Sequence, residues 1–272
     1  MNSSGKYLFL DVGGTFIKCS DGRCVPSCSG GTREQIEAAL RKAVGHPEGL
    51  AGIGVAIPGP FDFRNGIFRM EHKFAAVKGM AFSALAGIPA DLPVKYMHAV
   101  HSALAGAMHA LGLSGNTALV TMGTGLGFGF ASEGIIQANE KGSPARNLYD
   151  IPCADGILED IVSARGIRNA YARICGDTGA SALQVAQRAF AGDQAALEAF
   201  SIVGTALGEH LAPVVEELRI DTLLFGGQVA RSFSLMERPV RNALDGIPSL
   251  HSIAMLPEGS VFQGLATLFE NN

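Results

Sequence analysis

Asp11 closes an apolar run, and within seven residues the chain adds Gly13, Gly14, Thr15 and Lys18, reading LFLDVGGTFIK from Leu8. These residue types at this spacing suit phosphate chemistry. Two glycines let the backbone adopt positive φ and bring N–H groups up to an anion with no Cβ in the way. Thr15 adds a hydroxyl donor, and the Asp11 carboxylate suits a hydrated magnesium ion beside phosphate oxygens. Read alone, the stretch also fits an ordinary β-hairpin that turns on Gly-Gly.

Two further stretches follow the same plan. TALVTMGTGLGFG, Thr117–Gly129, runs from an apolar β-rich segment into Gly123-Thr124-Gly125 and a continuing alternation of glycines. DTLLFGGQ, starting at Asp221, is a short apolar strand that ends in Gly226-Gly227. Taken alone, Gly226 and Gly227 are also what a tight strand-to-helix turn needs.

The elements that must position these turns alternate in type. Lys6–Val25 is predicted to be hairpin-rich β-structure with Asp21-Gly22 as a turn, and Thr32–Val44 a helix opened by a Thr32/Gln35 capping box. Leu50–Ile57 is a buried strand that Pro58-Gly59-Pro60 stops. Ala81–Leu85 reads as helix, Pro93–Met97 as strand and His98–Leu111 as an Ala-rich helix. After Thr117 come helices over Gly156–Cys175, Ser181–Ala191 and Asp193–Leu218, with Pro213 a possible kink. A strand, Ser252–Leu256, and a terminal helix, Gly259–Phe269, finish the chain.

Composition narrows the function classes. Of 272 residues, 47% are apolar and 17% charged, enough for a buried core rather than disorder. A net charge of -4 argues against a nucleic-acid partner. No apolar run reaches the ~18–20 residues of a membrane span, and the polar Met1–Lys6 is no secretory signal. Five cysteines without a C-x-x-C pair imply free thiols and a cytoplasmic setting.

The three strand-then-glycine turns, in this order, resemble the phosphate-one, phosphate-two and adenosine motifs of the sugar kinase/Hsp70/actin superfamily. PGPFDFRNG at Pro58–Gly66 matches the P-G-x-x-D-x-x-x-G pattern of its ROK family (repressors, open reading frames and sugar kinases). The resemblance covers nearly the whole chain. It implies an α/β, two-lobed ribonuclease H-like (actin/hexokinase) fold, each lobe a mixed sheet flanked by helices, with a nucleotide cleft between them. Residues 1–112 plus 258–272 would form one lobe and 113–257 the other. It further implies ATP with magnesium, phosphate contacts from Gly13, Gly14, Thr15, Lys18, Gly123, Thr124 and Gly125, and adenosine beside Gly226 and Gly227. Asp11 would hold magnesium through water. A monosaccharide would meet Gly59, His98 and Glu159, the glutamate of a G-x-x-E-x-x-x-S pattern at Gly156–Ser163. His72, Lys73 and Arg64 would rim that pocket, or simply be exposed charge. A homodimer is the family expectation.

Two departures stand out against that family. Its zinc-binding cysteine positions fall on Asp150, Pro152 and Ile157, so Cys153 stands alone and no zinc site is expected. The family's histidine-bearing sugar contact is also missing, leaving Gln137–Asn147 to do that work differently. Aligned on Leu104 and Gly106, its general-base aspartate falls on Ala99, and no Asp or Glu occurs between Asp91 and Glu133. Three explanations fit: an introduced Asp-to-Ala change, a sugar-binding or sensing pseudokinase, or a base role for His98 or His101. The leading expectation is an ATP-dependent hexose kinase of this type or its silenced form. A repressor would need a DNA-binding domain ahead of Asp11, where ten residues stand.

Overall fold

The computed structural model describes residues 6–154 and 156–270. In chain order, β1 (Lys6–Val12), β2 (Phe16–Cys19) and β3 (Cys24–Pro26) lead into α1 (Arg33–Val44) and β4 (Leu50–Ile57). The short strands β5 (Phe61–Asp62) and β6 (Ile67–Phe68) precede α2 (Phe82–Ala86), β7 (Val94–His98) and α3 (Ala99–Leu111). Then come β8 (Thr117–Met122), β9 (Leu126–Ser132), β10 (Ile135–Ile136), β11 (Pro152–Cys153) and β12 (Gly156–Ile157). Helices α4 (Leu158–Ile161), α5 (Ala164–Cys175), α6 (Ala182–Phe190) and α7 (Gln194–Glu217) follow. The chain ends with β13 (Thr222–Gly226), α8 (Glu237–Leu244), β14 (Ser252–Met255) and α9 (Ser260–Thr267).

Two compact units result. The first takes the described residues of Met1–Gly112, Ala138–Ala145 and Pro257–Asn272, and the second takes Leu113–Gln137 and Arg146–Leu256. Each holds one five-stranded sheet, ordered β3-β2-β1-β4-β7 in the first and β10-β9-β8-β13-β14 in the second. The two sheets repeat one plan. Their last three strands are parallel to one another, and the outer pair returns antiparallel.

In the first unit, alternation along β1 decides what packs where. Leu8, Leu10 and Val12 join Ile36 and Leu40 of α1 in one core. Tyr7 and Phe9 point the other way and meet the Phe269 ring, at 4.6 and 6.2 Å between centroids. The predicted capping box of α1 is present: Gln35 N–H donates to Thr32 Oγ1, and Thr32 N–H to Gln35 Oε1 at 2.9 Å. On the sheet's far face α3 crosses α9 at backbone contact. A methyl added to Gly106 would lie 1.8 Å from Ser260 O, and one on Gly264 would lie 1.9 Å from Ser102 O. Only hydrogen fits at either position.

The second unit buries the apolar stripe of α7, Phe200, Val203, Leu207 and Leu211, among residues of β8 and β13. The continuous helix expected over Gly156–Cys175 is not formed. Gly156–Ile157 is a strand, α4 stops at Val162, and α5 starts afresh with the Ser163 hydroxyl accepting Gly166 N–H at 3.3 Å. Such a side-chain cap ends one helix and opens another more cheaply than a serine can sit in a helix interior. No helix among the described residues is long and apolar enough to cross a membrane, and the five cysteines are free.

Candidate functional site

β1 and β2 pair antiparallel, Asp11 opposite Lys18 and Val12 opposite Ile17, and Gly13-Gly14-Thr15 joins them. The β-hairpin that the sequence reading allowed for this stretch is formed, turning on Gly13-Gly14-Thr15. Of the two expected reasons for the glycines, positive φ is corrected, since neither Gly13 nor Gly14 has one. Their missing side chains matter for space. A methyl on Gly13 would stand 3.0 Å from Phe16 O, whose carbonyl accepts Gly13 N–H at 2.9 Å. Thr15 O accepts Ser27 N–H at 2.9 Å, so the turn is braced from a second side while the threonine itself stays exposed. Asp11 Oδ2 lies 3.7 Å from Lys18 Nζ. Burial pushes the Asp11 carboxyl above its ordinary pKa, and the Lys18 charge pulls it back down. A carboxylate that lacks full solvation is one a cation would stabilise.

Parallel pairing brings three strand ends to one edge of the first sheet. Asp11 pairs with Ala56, and Ile57 with His98. The Asp11 turn, the Pro58–Gly66 segment and the His98–Ala99 junction therefore leave the sheet side by side, at the carboxyl edge where open α/β sheets bind ligands. Within Pro58–Gly66, Asp62 accepts Asn65 N–H at 3.0 Å and its side-chain amide at 2.9 Å. Gly66, at φ +69, donates its N–H to Asp62 O. These two motif residues close the β5–β6 hairpin. Gly59 is the one turned toward chemistry: a methyl there would sit 3.2 Å from Ser143 Oγ and 3.6 Å from His98 Nε2. Ser143 was not singled out by the sequence, which pointed only to the segment around it. Arg64 and His72 are exposed.

His98 caps α3, its Nδ1 accepting Val100 N–H at 3.3 Å. Burial, and then the neighbouring His101, push its pKa down to about 3. The ring is therefore neutral near pH 7 and, with Nδ1 accepting, carries its proton on Nε2, the nitrogen nearest Gly59. Ala99 follows as the first residue of α3, half-buried. This histidine binds a proton more readily in the unfolded chain than in the folded one. Its contribution to stability is full above about pH 6.5 and drains as pH falls toward 3, by at most about 1.4 kcal/mol per pH unit. Urea unfolding at about pH 7 and about pH 5 should show a decline that His98→Asn, which keeps a capping side chain, reduces by up to ~2 kcal/mol. Equal declines in both proteins would mean His98 is not held neutral.

In the second unit, Gly123 N–H donates to Gly125 O at 2.9 Å, and Gly123 O accepts Ala164 N–H at 2.8 Å. Thr124 is exposed at the tip of this turn. Glu159 belongs to the same turn: its Oε2 accepts Leu126 N–H at 2.9 Å and lies 2.6 Å from where a Gly125 methyl would stand. Gly227 has φ +90, and a methyl there would approach Met122 O to 2.3 Å, so both conformation and space demand glycine. Gly226 ends β13 in register with Thr121, one strand over. Cys153 does not stand alone. Its Sγ lies 3.6 Å from His210 Nε2 of α7, a contact across 57 residues. Among the described residues no three His, Cys, Asp or Glu side chains gather as a metal site.

A family model described as the ROK family matches residues 23–247. Curated proteins gave no match to this sequence. Solved structures resemble the chain end to end. A ROK family glucokinase from Streptomyces griseus, solved with glucose and AMPPNP, superposes with a TM-score of 0.78 at 20% identity, covering 96% of this chain and 98% of that one. The ROK hexokinase of Thermus thermophilus gives 0.73 at 21% identity, with 96% and 97% covered. A ROK family transcriptional regulator, a homolog of the E. coli MLC protein, gives 0.75 at 18%, covering 98% of this chain and 78% of that one. The actin/hexokinase-type α/β fold expected from the sequence is therefore the fold observed, and the match over most of its length makes this chain a member of the ROK family.

Proposed function

We propose that the protein is an ATP-dependent kinase of a hexose or related monosaccharide whose turnover is held down by Ala99. The observation that carries this reading is the shared carboxyl edge of β1, β4 and β7, which sets the Asp11 turn, Gly59 and the His98–Ala99 junction beside one another. In the first unit, Gly13, Gly14, Thr15 and Lys18 form a turn that takes the phosphate tail of ATP, and in the second unit Gly123, Thr124 and Gly125 form a turn of the same phosphate-binding type. Gly226 and Gly227 lie flat against adenosine. Asp11 fits magnesium held through water, because it is a single under-solvated carboxylate and the ion takes one or two carboxylates plus phosphate oxygens. When bound, the ion neutralises charge on the transferring phosphoryl group.

On the sugar side of the first unit, His98 Nε2–H donates to a hydroxyl over Gly59 and Ser143 adds a second polar contact; in the second unit, Glu159 is a sugar acceptor through Oε1 while Oε2 holds Leu126. In the reaction a sugar hydroxyl oxygen forms a bond to the γ-phosphorus, the bond from that phosphorus to the β-phosphate oxygen breaks, and the hydroxyl proton must leave. Ala99 has no group to take it. His98 cannot take it either, because Nδ1 is committed to Val100 N–H and Nε2 already carries a hydrogen. The proton goes to water, and the step is slow.

A second reading, a sugar-binding or sensing protein with no turnover, is favoured by the same methyl at Ala99. Incubation with Mg-ATP and a panel of glucose, mannose, allose and N-acetylated hexosamines, followed by mass spectrometry, separates the two. The expected result is slow, enzyme-dependent formation of one sugar phosphate. Sugar binding without any phosphate product would establish the second reading. Failure to bind any sugar or ATP would remove both.

A further inference from the structure

Lys73 follows the β5–β6 hairpin, in a segment expected to carry exposed charge, yet it is half-buried against the Asp11 turn. A methyl built on Gly14 would lie 3.2 Å from both Cδ and Cε of Lys73 and 3.5 Å from Nζ. Two hydrogen bonds hold the lysine there. Phe74 N–H donates to Ser29 O at 2.6 Å, and Ser29 Oγ donates to Gly14 O at 2.5 Å. Phe74 is completely buried, its ring 5.3 Å from Phe68, and its backbone sits in the left-handed region at φ 56. A phenylalanine accepts that conformation only where its surroundings over-determine it. The buried ring thus fixes the segment, and the segment lays the lysine stem across the turn.

The two lysines of this turn differ. Lys18 is largely exposed and pairs with Asp11, whereas Lys73 makes no hydrogen bond or ion pair among the described residues. An ammonium held over glycine backbone, with no carboxylate of its own, is a point charge set for an anion. We infer that Lys73 is a phosphate-contacting cation of the Gly13–Thr15 turn, binding the phosphate tail of a nucleoside triphosphate. This rests on the reading of that turn as a phosphate site. The bland alternative is that the stem shields the turn while its ammonium stays in water. The two differ in one respect, whether the charge matters.

Lys73→Met keeps the stem and removes the charge, and Lys73→Arg keeps the charge. Titration calorimetry on the full chain with ATP and with adenosine supplies the readout, and Thr15→Val reports on the turn independently. The expected result is a ten- to hundredfold loss of ATP affinity in Lys73→Met, the size of a charge-assisted hydrogen bond. Adenosine affinity should stay unchanged and Lys73→Arg should recover most of the ATP affinity. Unchanged ATP affinity in Lys73→Met alongside a loss in Thr15→Val would overturn the role of Lys73 and leave the turn standing. Unchanged affinity in both variants would overturn the turn reading and Lys73 with it. Equal losses for ATP and adenosine in Lys73→Met would show a structural effect and also overturn the proposal.

Discussion

Replacing Ala99 with aspartate should raise sugar phosphorylation by about two to four orders of magnitude, the usual effect of a positioned general base. The position is prepared for a carboxylate. Ala99 opens α3, whose first turn contains no acidic residue, and negative charge there is favoured by the helix macrodipole by about 0.3–1 kcal/mol. The variant should therefore fold at least as well as the parent. His98 stays neutral and keeps its cap on Val100, so sugar affinity should change far less than turnover, and the gain should appear in kcat. Steady-state kinetics of Ala99→Asp with whichever sugar the parent binds decides the matter. An unchanged rate with every hexose would mean that the missing carboxylate is not the lesion. A parent already as fast as the variant would mean that another group takes the proton.

The second large effect concerns stability. Gly106→Val should cost at least ~3 kcal/mol, the upper range for overpacking, because its Cβ would meet a carbonyl oxygen at 1.8 Å rather than a side chain that can turn aside. The helices α3 and α9 must separate to admit it, which strips cover from the Tyr7–Phe9–Phe269 cluster. Even Gly106→Ala should be strongly destabilising, unlike an exposed helical glycine, where alanine helps by up to about 1 kcal/mol. Urea unfolding measures both. A stabilised Gly106→Ala would mean the helices do not touch as described.

What could be read from the sequence was what local chemistry specifies. The helix over Thr32–Val44 was legible because both halves of its capping box lie within four residues. The glycine turns were legible as short motifs, although one of the two reasons given for Gly13 and Gly14 was wrong: neither has a positive φ, and their lack of a Cβ is what the packing uses. The break at Val162 was missed because Ser163 and Gly166 fit a helical window as well as a new cap. Contacts that depend on the tertiary fold left no local trace. Ser143 reaches Gly59, Lys73 reaches Gly14, and Cys153 reaches His210, all across dozens of residues. The segment Ala138–Ala145 belongs with the first unit for the same reason.

The α3–α9 crossing also sets a timetable for synthesis. The second unit has all its strands and helices by Leu256, but the first cannot cover one face of its sheet until Ser260–Thr267 exists, more than 150 residues after α3 was made. On the ribosome, at about 5–20 residues per second, the half of the molecule begun first is thus the half completed last. Until then the apolar faces around Tyr7, Phe9 and Gly106 are bare, and this interval is when a chaperone would have most to hold.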